Sequence, residues 1–411
     1  VYKVLKVSDG WILECVECGN RFDSDPKLFF CPKCNSLLQL FATKNFLAEE
    51  LFDNEFVERR VWRYRRTLPV SLGAEPVTLN EGGTPLVKSV HIADEIGAEK
   101  LYVKAEGENP TGSFKDRGMT VAVTRAKESG AKTLVCASTG NTAASLAAYA
   151  ARSGLKAAVV LPAGKVASGK LVQAYVHGVH VIRVGGNFDK ALGMTMDLVS
   201  ENSELYLVNS VNPYRIEGQK TVSYELFEQL GRTVPDYVVL PVGNAGNISA
   251  VWKGFKELQS WGVTQRLPKL IGVQAAGAAP IVEMIVSGRS QIKPWSSPAT
   301  IASAISIGNP ASWKKALAAI KESGGTAIAV SDKEIVQARM DLASKEGLFV
   351  ENASAAPVAA LRRLRRTLDK GSVVVCIATG HGLKDQDTID WDPKSAPIAE
   401  DRKSLAKLIS A

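Results

Sequence analysis

From about residue 98 to residue 385 the chain alternates short runs of buried-strand composition with stretches of helical period. Residues 101–104, 133–137, 157–161, 180–184, 205–208, 237–242, 270–274 and 372–378 are rich in Val, Ile, Leu and Ala. Helical stretches fall between them, at 143–152, 189–199, 252–258, 313–322 and 332–346. This alternation predicts open, mostly parallel sheets covered by helices, an α/β architecture. No repeat of solenoid period is visible. At 411 residues the chain has room for two or three domains and a large core.

In such folds the chemistry collects where strands end and loops lead into helices. Asn109-Pro110-Thr111-Gly112-Ser113-Phe114-Lys115-Asp116-Arg117-Gly118 is such a place. Pro110 and Gly112 mark a loop, and an apolar-periodic run begins after Ser113, so Lys115 is expected in the first turn of a helix. The positive end of the helix dipole disfavours an ammonium there and helps release a neutral amine, which a Schiff-base lysine requires. Taken alone, a first-turn lysine is more often a solvated surface residue.

Three further loops have the strand–loop–helix layout that aims free backbone N–H groups at an anion. Ser138-Thr139-Gly140-Asn141-Thr142 follows the run 133–137. Gly243-Asn244-Ala245-Gly246-Asn247 follows 237–242, with two glycines that let the backbone wrap a phosphate. Gly164-Lys165-Val166-Ala167-Ser168-Gly169-Lys170-Leu171 nearly matches a nucleotide-binding loop, but lacks the hydroxyl residue after Lys170 that would hold magnesium. The last core strand ends at Thr379-Gly380-His381-Gly382, and residues 209–220 place Asn209, Ser210 and Arg215 together. An arginine fork with a hydroxyl suits an oxyanion, and pairing to a neighbouring glutamate is the alternative for Arg215.

Near the N-terminus, Cys15-Val16-Glu17-Cys18 and Cys31-Pro32-Lys33-Cys34 form two Cys-x-x-Cys knuckles. Four thiolates so spaced make a tetrahedral structural zinc site, useful to a segment too short for its own core. A disulfide pair and a ribbon without metal are the alternatives. The net charge of +8 invites a nucleic-acid reading, as does the stretch with Arg59, Arg60, Arg63, Arg65 and Arg66 among Phe56, Trp62 and Tyr64. The charge is otherwise dispersed, and that stretch reads as an arm packing its aromatics inward. No run approaches the ~18 or more apolar residues of a membrane span, and residues 1–4 lack the apolar core of a signal peptide, so a cytoplasmic enzyme is expected. With four histidines, histidine triads and multi-histidine metal sites are poorly supported.

Across residues 80–385 these motifs together resemble the fold-type II pyridoxal-phosphate (PLP) enzymes of the tryptophan synthase β-like fold, and among their branches the threonine synthases, in the archaeal-like form that carries an N-terminal zinc ribbon. The resemblance implies that Lys115 holds PLP. Asn141 would face its 3′ oxygen, Gly243, Asn244, Ala245, Gly246 and Asn247 would cup its phosphate, and Thr379 would meet its ring nitrogen. Ser138, Thr139 and Thr142 would take the substrate carboxylate, and Asn209, Ser210, Arg215 and Lys165 the substrate phosphate. The implied reaction converts O-phospho-L-homoserine and water to L-threonine and phosphate. The sister reaction, O-phosphoserine with sulfite, and a catalytically silent binding protein remain as alternatives. The implied partner is a small anionic phosphorylated amino acid, with neither nucleic acid nor membrane, in a homodimer. The expected units are a ribbon at 1–45, an arm and the start of a large PLP domain at 46–119, a small α/β domain at 120–210, the large PLP-binding domain at 211–390 and a tail at 391–411. Residues 347–356 match a family motif except that Asn352 stands where proline is usual, so no contact is expected of Glu351. The stretch 291–310 carries no readable role.

Overall fold

The computed structural model describes residues 10–52, 54–163, 168–186, 188–389, 392 and 396–409. Its strands, in chain order, are β1 (Trp11–Cys15), β2 (Arg21–Asp23), β3 (Leu38–Ala42), β4 (Leu86–Ser89), β5 (Lys100–Ala105), β6 (Thr133–Ala137), β7 (Lys156–Pro162), β8 (His180–Val184), β9 (Leu205–Leu207), β10 (Tyr237–Pro241), β11 (Lys269–Ala275), β12 (Thr326–Val330) and β13 (Val373–Ala378). They form three sheets. The ribbon sheet has the order β2-β1-β3 and is antiparallel. A six-stranded sheet runs β12-β11-β10-β13-β5-β4, parallel except for the edge strand β4. A four-stranded parallel sheet runs β8-β7-β6-β9.

The two parallel sheets follow from the strand compositions. β10 (YVVLP) is buried along its whole length and β13 (VVVCIA) nearly so, which suits strands covered by helices on both faces. One core, around Val239, Ile271, Val273 and Val374, fills one side of the six-stranded sheet, and another, around Val238, Leu240, Val251 and Phe255, fills the other. A third surrounds Leu134, Cys136, Leu146 and Val159 in the four-stranded unit.

The helix Lys115–Glu128 is the axis of the molecule. It crosses the helix Pro213–Gln219 at backbone contact: a Cβ at Gly218 would lie 1.8 Å from the Arg117 carbonyl oxygen. Only glycine permits that approach. Arg117 is buried and accepted by two carboxylates, Glu106 (2.7 Å from Nε and from Nη2) and Glu225 (2.7 Å from Nη1, 2.6 Å from Nη2). Lys104 completes the cluster, donating to Glu225 at 2.8 Å and to the Thr84 carbonyl at 2.7 Å. Two cations thus face two anions, which holds the Glu225 carboxyl well below the usual carboxylate range despite its burial. Removing one partner of such a buried set costs about 3–5 kcal/mol, so the cluster fixes the register of the Lys115 helix against β5 and the helix Thr221–Gln229.

The arm at 46–80 contains the 3-10 helix Asn54–Thr67. Trp62 and Tyr64 are buried, and Arg63 pairs with Glu228 at 2.8 Å. The side chains of Phe56 and Arg59 lie outside the described residues. Within the C-terminal stretch expected only as a tail, a helix forms at Arg402–Ile409, with none of its residues buried. No helix among the described residues is long and apolar enough to cross a membrane.

Candidate active site and metal centre

A cleft of about 330 Å³ opens between the two parallel sheets. Lys115 enters it as the first residue of its helix. Its position is set by β13: the Phe114 N–H donates to the Thr379 carbonyl at 3.0 Å, and Ser113 bridges Gly380. The Lys115 Nζ makes no hydrogen bond among the described residues and rests 4.3 Å from the Phe114 ring centroid. Burial, and next the Arg215 charge, lower its pKa to about 7, against an opposing pull from Glu351. The amine is therefore poised between charged and neutral near neutral pH.

Two helix N-termini flank this amine. At the first, the backbone N–H groups of Gly243, Asn244, Ala245 and Gly246 have no acceptor among the described residues. Ala245 sits at φ +65°, the left-handed region, immediately before the helix Gly246–Ser260. The Asn244 side chain accepts from the Ala311 N–H at 3.1 Å and its carbonyl from the Ser312 N–H at 3.2 Å, which fixes the loop from behind. Asn247 Nδ2 is buried without a partner. At the second, the N–H groups of Thr139, Asn141 and Thr142 are likewise free at the start of the helix Asn141–Ser153, among the described residues. Two N-terminal sets of free N–H groups facing one cleft are the kind of arrangement that can receive two anionic groups.

Asn141, Ser138, Thr139, Thr142, Asn209, Ser210, residues 243–247 and Thr379 all line the cleft with Lys115. Asn141 directs Nδ2 to both oxygens of Glu351, at 3.1 and 3.0 Å, and its buried Oδ1 is unpaired. Thr379 Oγ1 lies 3.1 Å from Ser354 Oγ, so the group at the strand end is a neutral hydroxyl held in place. Asn209 lines the wall, but both ends of its amide are engaged by the Ala137 backbone, at 2.9 and 2.8 Å. Arg215 is not a lining residue. It is fully buried, with Nη1 on the Val208 carbonyl at 3.0 Å and with Nε and Nη2 unpartnered among the described residues. No glutamate pairs with it among the contacts described, and the loss of hydration lowers its pKa to about 10. Lys165 lies outside the described residues.

Two parts of the cleft were not read from the sequence. Glu351 is buried, lines the cleft and holds Asn141 across it. The departure at Asn352 had argued against a contact, yet Asn352 is the first residue of a helix, a position that proline also favours, and its N–H donates to Asp385 at 3.0 Å, a bond that proline could not make. Residues 303–307 form the other missed wall. Gly243 lies beneath them, where a Cβ would meet the Ala304 carbonyl at 3.0 Å. Their signal is weak because a short 3-10 turn has no periodicity to detect.

These features fit PLP: an uncommitted amine, a phosphate-sized N-terminal cup, and a hydroxyl opposite the amine's loop. The metal centre fits equally well. The Sγ atoms of Cys15, Cys18, Cys31 and Cys34 lie within 4.8 Å of one another. Neighbouring sulfurs stand 3.4–3.6 Å apart, close to the ~3.8 Å edge of a tetrahedron with Zn–S arms of ~2.3 Å and too far for disulfides. The N–H groups of Glu17 and Cys18 point at Cys15 Sγ, at 3.4 and 3.5 Å, which suits a thiolate there.

A family model described as pyridoxal-phosphate dependent enzyme matches residues 77–380. The chain is 52% identical over 379 residues to a threonine synthase of Methanosarcina acetivorans, across 92% of this chain and 93% of that one. It is 52% identical over 377 residues to a threonine synthase of Methanocaldococcus jannaschii, across 91% and 93%. Among solved structures, maize serine racemase superposes with a TM-score of 0.63 at 24% identity, covering 80% of this chain and 92% of that one, a likeness of fold alone. The chain belongs to the pyridoxal-phosphate dependent enzymes of fold type II and, within them, to the threonine synthases.

Proposed function

We infer that this chain converts O-phospho-L-homoserine and water to L-threonine and phosphate. The observation that carries the reading is the Lys115 amine, lowered to about 7 and set between two unsatisfied helix N-termini with a buried, half-unpaired arginine behind them. PLP, when bound, supplies the electron sink that makes protons next to an amino-acid nitrogen removable and lets a group depart beyond Cα. Lys115 would hold it, and residues 243–247 would bind its phosphate through their free N–H groups. Asn141, oriented by Glu351, would face the ring oxygen. A neutral hydroxyl at Thr379 leaves the ring nitrogen without a full proton, which favours elimination and replacement over chemistry at Cα alone.

The substrate carboxylate would take the free N–H groups and hydroxyls of Ser138, Thr139 and Thr142. Ser210 and Arg215 would hold the substrate phosphate, whose oxygens would take the place of the water that Arg215 has lost on burial. The Lys115 Nζ, once released by the substrate amine, takes the proton from substrate Cα and returns protons as phosphate leaves Cγ and water adds at Cβ. Closure of a small unit at 120–210 over the substrate would exclude water until that step. Zinc in the four-cysteine cluster would be structural. We place the enzyme in the cytoplasm as a two-fold assembly. The helix Ser168–Val176 exposes Val172, Tyr175 and Val176 at helical neighbour spacing as a candidate contact, and light scattering tests the assembly state.

The test of the reaction is phosphate release from O-phosphohomoserine by PLP-loaded protein, with the amino acid identified. Phosphate and threonine in equal amounts are expected. An intact cofactor spectrum without release would overturn the substrate and leave the cofactor assignment standing.

A further inference from the structure

Tyr214 belongs to two parts of the molecule at once. Its side chain, fully buried, completes the small core of the ribbon with Trp11, Leu13, Leu38 and Leu40, and its hydroxyl lies 3.2 Å from Ser24 Oγ. Its backbone lies in the first turn of the helix Pro213–Gln219, and the next residue is Arg215. A helix of seven residues has no stability of its own. One side of it is fixed against the Lys115 helix at backbone contact, where Gly218 meets the Arg117 carbonyl and Gly118 the Arg215 carbonyl. The other side is fixed by the ribbon, through Tyr214 and through Lys253, which bridges the Leu40 carbonyl of β3 to Glu217 of the same helix. Among the described residues Arg215 itself has one acceptor, the Val208 carbonyl, and two unpartnered nitrogens. Its aim is therefore set by the helix that carries it.

We propose that Tyr214 is a positioning residue for the substrate phosphate: the metal-closed ribbon, acting through the Tyr214 ring, holds the helix that points Arg215 at that phosphate. The proposal rests on the reading of Arg215 as an anion ligand. The ribbon is too small to keep its core without an ion across the four cysteines, so the occupancy of the metal site and the affinity of the phosphate site are coupled through the contacts of this helix with the ribbon, the Tyr214 ring foremost.

The experiment measures the calorimetric Kd of inorganic phosphate on PLP-loaded protein, with zinc content and the cofactor absorption band recorded for each sample. Arg215→Met should weaken phosphate by about tenfold or more, the loss of a charge-assisted contact. Tyr214→Ala should weaken it by about tenfold and raise KM for the phosphorylated substrate in proportion, with kcat nearly held and the cofactor band unmoved. Tyr214→Phe keeps the ring and should stay within about twofold of native. Native holoenzyme stripped of metal by a chelator should match Tyr214→Ala, and it decides the question if that variant does not fold. Native-like phosphate binding by Tyr214→Ala or by the stripped protein, with Arg215→Met weakened, overturns the proposal and leaves the anion site standing. Native-like binding by Arg215→Met overturns the anion-site reading and the proposal with it.

Discussion

The metal centre and the catalytic cleft are built on opposite plans. The four sulfurs come from two short knuckles, and the first makes its own N–H···S contacts, from Glu17 and Cys18 to Cys15. The cleft draws on segments from Phe114 to Thr379, including the wall at 303–307 and Glu351. A local site is specified by a short stretch of chain and tolerates damage elsewhere. A site gathered from distant segments depends on every packing contact that brings them together. Substitutions can therefore separate the two, and each of the following does so to a different degree.

Lys115→Ala strikes the cleft at its centre. Turnover should fall by roughly 10³-fold or more and the cofactor absorption band should be lost, while zinc content measured on the same sample stays native. Retained turnover would remove Lys115 from its assigned place. Gly218→Ala attacks the cleft from a distance, because its Cβ would sit 1.8 Å from the Arg117 carbonyl oxygen. Forcing these helices apart should destabilise the protein by roughly 3 kcal/mol, read as a lowered urea midpoint, with cofactor binding lost. An unaltered midpoint would show that the crossing is less tight than described. Cys18→Ser reverses the experiment. Metal should be lost and kcat/KM should fall about tenfold, through KM, with the cofactor band intact; a vanished band would mean that the two sites are not separable.

The smallest effect is a shift in pH dependence. Cofactor capture requires the neutral Lys115 amine, so its rate in apoprotein should rise through about pH 7. The Glu351 carboxylate favours the ammonium form. Glu351→Gln should therefore move that rise to lower pH, as followed by stopped-flow absorbance. A shift to higher pH would contradict the assigned sign.

The same contrast explains what could be read from sequence. The cysteine spacing points directly to the ribbon site because ligand and scaffold are the same short stretch. β10 and the loop at 243–247 are legible because a fully buried strand leaves a continuous apolar run and a glycine-bearing turn follows it into the next helix. Lys115 is legible as the first residue of a helix. Arg215 stands out in the sequence as an arginine fork beside a hydroxyl, but its burial behind the wall depends on helix packing that no local pattern encodes. The Asn209 amide was matched to the substrate, whereas the fold engages it with Ala137. Glu351 and residues 303–307 escaped for the same reason: their roles arise from what lies opposite them.

That engagement of Asn209 has a mechanical consequence. β9 pairs with β6 only through Thr133, Leu134 and Val135, and the Val208 N–H then donates to the Val135 carbonyl at 2.9 Å. Beyond that point the Asn209 amide imitates one more peptide unit, giving and receiving a hydrogen bond at Ala137. The ladder is lengthened by a side chain to the residue just before Ser138. The loop 138–142 and the start of the segment 209–215 are thereby welded into one plate. Any closure of the cleft would have to carry these two walls together, with bending displaced to the connections outside them. In hydrogen exchange the Ala137 amide should be protected like the middle of a strand, although it stands at the end of one.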